Sequence, residues 1–185
     1  MKSYLLTAVL LLSACATTYT LVEPGRVAVT DFYSVKSNIG WSSLKQDNAQ
    51  VWTIDGFALQ SLRFVRGIED GGLYFESHDK ERKIPFRANM TETEIAEMVV
   101  DEFSLRGAKN VELKSLRPQK FGSIDGFGFD IDYLTGDGLE ARALVSGTVS
   151  GSKLYLIIYT GTKLHYFDRY LDEAKAIIDS VKLES

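Results

Sequence analysis

The sequence predicts an α+β domain, an antiparallel β-sheet with two main helices packed on it. Three features of its 185 residues lead there: a capped apolar stripe starting at Thr91, a second stripe from Phe167 to Val181, and alternating segments with glycine turns between them. Strands, a helix, more strands and a final helix, in that order, pack most simply as helices on an antiparallel sheet. With 45% hydrophobic and 25% charged residues and three prolines, the composition is that of an ordinary globular domain.

The chain opens with Lys2, an apolar run from Leu5 to Leu12, then Ser13, Ala14 and Cys15, the layout of an export signal. Eight residues of helix reach about 12 Å, against the roughly 20 residues that cross a bilayer, so this is no membrane span. Leu12-Ser13-Ala14-Cys15 resembles the bacterial lipobox, whose cysteine receives a diacylglyceryl group before the signal is removed. Cys15 is the only cysteine and follows the apolar run directly, which favours lipidation. Ordinary cleavage at Ala14-Cys15-Ala16, giving a soluble periplasmic protein, is the alternative. Several acyl chains hold a protein on a membrane stably. In lipoproteins of this kind an aspartate after the cysteine tends to retain the protein at the inner membrane; Ala16 stands there instead, which favours the periplasmic face of the outer membrane. The expected organisation is residues 1–14 as signal peptide, 15–25 as lipidated N-terminus and short tether, and 26–185 as one α+β domain.

Within the domain, Val27 to Val35 reads as a strand, Asn38 to Trp41 and Lys45 to Asn48 as loop, and Val51 to Ile54 and Ala58 to Val65 as short strands. Asp70-Gly71-Gly72 and the polar run His78 to Lys83 read as turns or an exposed loop. Thr91-Glu92-Thr93-Glu94 is a capping box, and Ile95, Met98, Val99 and Phe103 then form one helical face, ended by Gly107. Phe127, Phe129, Ile131 and Tyr133 alternate with Asp130 and Asp132, as on a strand with one covered face. If Gly136-Asp137-Gly138 turns the hairpin, Tyr133 faces Ala141, Ile131 faces Ala143, Phe129 faces Val145 and Asp132 faces Arg142. A slip of one residue would bury the charges. After the Ser150-Gly151-Ser152 turn, the run Leu154 to Tyr159 predicts a central strand covered on both faces. Phe167, Tyr170, Leu171, Ala174, Ile177, Ile178 and Val181 predict one final helix.

Ile124-Asp125-Gly126-Phe127-Gly128-Phe129, Tyr159-Thr160 and the ending Ile177-Ile178-Asp179-Ser180-Val181 give the second half of the chain a resemblance to the PsbP-like α/β/α sandwich. That fold serves photosystem extrinsic subunits, a Ran-binding import factor and assorted bacterial lipoproteins. It has no shared catalytic residues, so the resemblance implies a fold and assigns no site.

The chemistry expected of this sequence is sparse. A net charge of −4 argues against nucleic acid as a partner, and two histidines with one cysteine are too few for a Cys/His zinc site. Gly147-Thr148-Val149-Ser150-Gly151 has its serine one place too late for a nucleophile elbow. Gly136-Asp137-Gly138-Leu139-Glu140-Ala141 matches a dinucleotide fingerprint but leads into a strand where that motif needs a helix N-terminus. Asp130 and Asp132, with Asp125 or Asp137, read as solvated charges before they read as a cation site, and His78 and His165 as solvated residues. No cofactor is expected.

Lys80, Arg82, Lys83 and Arg87, with Arg63 and Arg66 upstream, make a basic concentration, and Trp41 flanks a polar loop. Trp41, Lys80, Arg82 and Lys83 are the candidate partner contacts. The expected function is a non-catalytic binding or accessory module of the cell envelope, held to the membrane through lipid on Cys15 and meeting an envelope protein or glycan. A carrier of a small apolar ligand, lined by aromatics such as Phe127, Tyr133 and Tyr159, is the alternative; an envelope hydrolase stands behind it.

Overall fold

The computed structural model describes residues 19–46, 48–74 and 84–184. Cys15, His78, Lys80, Arg82 and Lys83 lie outside the described residues. In chain order the elements are β1 (Thr20–Val22), β2 (Gly25–Ala28), β3 (Tyr33–Ser37), β4 (Trp41–Gln46), β5 (Ala49–Thr53), β6 (Gln60–Ile68), α1 (Glu92–Leu105), β7 (Lys109–Phe121), β8 (Ile124–Leu134), β9 (Glu140–Ser150), β10 (Lys153–Thr162), α2 (Tyr166–Arg169), α3 (Leu171–Asp179) and β11 (Lys182–Leu183). An eight-stranded sheet runs β1-β4-β5-β6-β10-β9-β8-β7, and β11-β3-β2 form a smaller one. The α+β expectation holds, with the sheet as the dominant part.

β10 lies inside the large sheet, between β6 and β9, and its alternation explains both layers. Leu154, Leu156 and Ile158 join Ile95, Val99, Phe129 and Ile131 in a core beneath α1. Ile157 and Tyr159 point the other way, into a core shared with Trp41, Trp52, Phe64 and Ile177. The two cores draw their buried residues from the stretch between Val22 and Val181, so a protein starting at Ala16 keeps both. Among the described residues, no helix is long and apolar enough to cross a membrane.

The capping box at α1 is present: the Glu94 N–H donates to the Thr91 hydroxyl at 3.2 Å, and the Thr91 N–H donates to the Glu94 carboxylate at 2.7 Å. The expected hairpin register is also present, with Tyr133 opposite Ala141, Ile131 opposite Ala143, Phe129 opposite Val145 and Asp132 opposite Arg142. The turn closes through the Thr135 N–H donating to the Leu139 carbonyl at 2.8 Å. Arg142 grips Asp132 with two donors, Nε at 2.7 Å and Nη2 at 3.1 Å, and Lys163 adds a third contact at 3.1 Å.

These bonds hold the Asp132 carboxyl down at about 2, against an ordinary 3.8. A depressed carboxyl adds stability that is full above its unfolded value and is lost as pH falls through the folded one. Because Arg142 is substantially exposed, the contribution is at most about 1 kcal/mol. Urea unfolding should therefore show Asp132→Asn destabilised at pH 7, with the gap to the parent closing as pH approaches 2.

Four expectations are corrected. The single strand from Val27 to Val35 is a hairpin: the Thr30 hydroxyl accepts from the N–H groups of Phe32 and Tyr33, both at 3.1 Å, and turns the chain without glycine or proline. Trp41, Lys45 and Gln46, read as loop, belong to strand β4. The final helix is two helices broken at Tyr170. The Tyr159 hydroxyl lies 3.0 Å from the Tyr166 carbonyl and 2.8 Å from that of Phe167, the acceptors that a continuous helix would use for residues 170 and 171. The tether does not reach residue 25, because β1 pairs with β4 and Val22 is buried.

β7 is a long exposed edge and is protected as one. Two register irregularities, with positive φ at Asn110 and Ser115, interrupt its ladder, and Lys114, Pro118 and Lys120 are poor templates for another chain.

Candidate functional site

The C-terminal end of α1 and the sheet beneath it enclose a pocket of about 250 Å³. Its floor follows from strand register. Ser61 and Arg63 of β6 pair with Thr160 and Ile158 of β10, and the Ser61 and Thr160 hydroxyls are 2.9 Å apart. On β9, the neighbouring positions of this face are Ala143, opposite Thr160, and Ala141, opposite Tyr133 of β8. Both alanines are buried and lie outside the lining. Phe103 of α1 stands edge-on to Tyr133, with centroids 5.1 Å apart, and Arg106 caps the helix above. Tyr74 also lines the pocket.

Two guanidiniums from different elements thus meet on one cavity together with hydroxyl and phenol groups. Arg63 also donates to the Gln46 side chain at 2.8 Å, and burial pulls its pKa below the ordinary arginine value without removing its charge. Burial raises the Tyr133 phenol to about 12 and pushes Tyr74 higher still, so both are neutral at physiological pH. Fixed positive charge, hydroxyl donors and planar rings suit a negatively charged group carried on a small flat or apolar body. Among the described lining residues no carboxylate, imidazole or thiol is present. Glu102, one turn before Arg106, is buried outside the lining, and burial raises its carboxyl pKa against the pull of Arg106.

Of the residues singled out from the sequence, Arg63 and Tyr133 line this pocket, and the other described ones fall elsewhere. Trp41 is 1% exposed, with its indole N–H donating to the Ser37 hydroxyl at 2.9 Å, so its ring is core and presents no partner contact. Arg63 and Arg66, grouped as one basic stretch, lie three residues apart on β6, and strand alternation sets them on opposite faces. Register between β6 and β10 shifts at Leu154/Leu156, Gly67 takes a φ of +64°, and Arg66 lines a different cavity from Arg63. Asp125, Asp130 and Asp132 are ion-paired with Lys120, Arg117 and Arg142. His165 is exposed ahead of α2, packed edge-on to Tyr166. Of the aromatics considered as an apolar lining, Phe121, Phe127, Phe129, Tyr159 and Phe167 fill the cores. Ser61, Tyr74, Arg106 and Thr160 were not singled out. The legible signals are Tyr133, one of the aromatics offered as a ligand lining, and a cation, Arg63, set between the apolar Leu62 and Phe64.

The fold is shared with solved structures of very different sequence. Cyanobacterial PsbP from Synechocystis sp. PCC 6803 superposes with a TM-score of 0.59 at 14% identity, over 94% of this chain and 99% of that one. A protein from Bacteroides thetaiotaomicron VPI-5482 gives 0.51 at 11%, over 89% of this chain and 50% of its own length. LpqN, involved in cell envelope biogenesis of Mycobacterium tuberculosis, gives 0.39 at 9%, over 94% of this chain and 88% of that one. The likeness to cyanobacterial PsbP shows a PsbP-like fold and assigns no activity. No protein-family model and no curated protein matches the chain.

Proposed function

We propose that the protein is a non-catalytic binding module of the cell envelope, held on the periplasmic face of the outer membrane by lipid on Cys15, and that the Arg63–Arg106 pocket receives an acidic group of its partner. The observation that carries this reading is the lining of the pocket. Guanidiniums and neutral phenols can hold an anion, but none of these groups gains or loses a proton near neutral pH, which general acid or base catalysis requires. The sequence supports the anchor through the placement of its single cysteine. Confinement at one membrane raises the effective concentration of a partner in the same thin compartment, so modest affinity suffices.

Two experiments test the reading. Mass spectrometry of the mature N-terminus should find acyl chains on Cys15, and Cys15→Ala should leave the membrane fraction; a variant still cleaved normally and membrane-bound contradicts the anchor. A photo-crosslinking residue at Thr135, on the pocket wall, should capture one discrete envelope component in growing cells and lose it with Arg106→Glu. Turnover of a wall or lipid substrate by the purified domain, abolished by Glu102→Gln, would replace this reading with an enzyme.

A further inference from the structure

The opposite face of the sheet carries a second cleft at its other end. Lys45 of β4, Gln50 of β5, Arg66 of β6 and Lys153 and Tyr155 of β10 line it together with the β2–β3 turn, enclosing about 570 Å³. An adjoining space of about 410 Å³ shares Arg66 and Lys153. Arg66 lies three residues from Arg63 on β6, and strand alternation turns it to this face. On one wall Phe32 stacks on Tyr155 with centroids 4.1 Å apart, an apolar flank beside the charges. Lys153 pairs with Glu69 at 2.9 Å and Asp31 stands exposed on the turn, while Lys45 and Arg66 have no ion-pair partner among the described residues. In a chain of net negative charge, three cations from three strands converge on one concave surface.

The entry of the chain lies next to it. Thr20 of β1 pairs with Ser43, two residues from Lys45 along β4, and β1 runs antiparallel to β4, so the backbone arrives from the Lys45 side. Only four residues lie between Cys15 and Thr20, five Cα-to-Cα steps with a reach of at most about 18 Å. We infer that this cleft binds a phosphate ester, with Lys45, Arg66 and Lys153 around the phosphate and the Phe32–Tyr155 stack against the group it carries. A phospholipid headgroup of the anchoring membrane is the source within reach; a soluble phosphate ester has the same chemistry. The membrane source rests on the proposed anchor, whereas the phosphate site does not.

The test uses unlipidated protein starting at Ala16, which keeps both cores and separates the cleft from the anchor. In one arm, sedimentation with phosphatidylglycerol-containing vesicles is compared with phosphatidylcholine vesicles. In the other, calorimetry follows glycerol 3-phosphate. The inference expects binding in at least one arm, weakened about tenfold or more by Lys45→Gln/Arg66→Gln, which alters exposed side chains only, and unchanged by Lys175→Gln on α3. Vesicle binding alone assigns the lipid source, and glycerol 3-phosphate binding assigns a soluble ester. Binding in neither arm, or binding indifferent to the double substitution, overturns it.

Discussion

Phe64→Ala should cost about 3 to 5 kcal/mol of folding stability, the range for removing a fully buried phenylalanine. Phe64 is at 0% exposure on β6, edge-on to Trp52 with centroids 4.6 Å apart, in the core that α3 closes. The surrounding tryptophan pair, Trp41 and Trp52, is too large to shift into the vacated volume, so a cavity should remain. Against a typical total of about 5 to 15 kcal/mol, such a loss moves the urea midpoint far down without changing the slope. A loss under about 1 kcal/mol would mean that the core is looser than its burial implies.

Gly161→Val should be nearly as damaging, at about 3 kcal/mol, by overpacking. A Cβ at Gly161 would lie 2.8 Å from the Cα of Phe167 and 2.9 Å from its N, both backbone atoms of α2 that cannot rotate away. The absent side chain lets α2 rest directly on β10 and brings the Phe167 carbonyl to the Tyr159 hydroxyl. Displacing α2 should break that bond as well, and the Tyr159 environment in near-ultraviolet circular dichroism should change with the stability. Retained stability with an unaltered spectrum would show that α2 does not depend on this contact.

Where local signals and tertiary packing agree, the fold was legible from sequence. The Thr91 capping box marks α1 because both of its hydrogen bonds lie within four residues. The β8–β9 register follows from parity, since any odd slip would bury Asp130 and Asp132. Other segments conceal their structure through contacts distant in sequence. β4 reads as polar loop because Ser43 faces inward, yet the Gln50 side chain on the next strand donates to its hydroxyl at 3.0 Å and makes its burial affordable. The break at Tyr170 depends on Tyr159, in another element altogether. The candidate pocket is concealed most fully: β6, β8, β10 and α1 each contribute a polar group, and only the assembled strand order brings them together. Nothing local marks Thr160 or Arg106 as neighbours of Arg63.

The account turns on the Arg63–Arg106 pocket holding an acidic group, and nuclear magnetic resonance of the protein starting at Ala16 measures that directly. Benzoate, a carboxylate on a flat ring, is the probe. The amide signals of Ser61, Thr135, Gly136 and Thr160 should move together along one saturable curve, and Arg106→Glu should abolish the movement while its spectrum stays that of a folded protein. Unmoved pocket amides across the titration, or shifts that survive Arg106→Glu, would contradict the account.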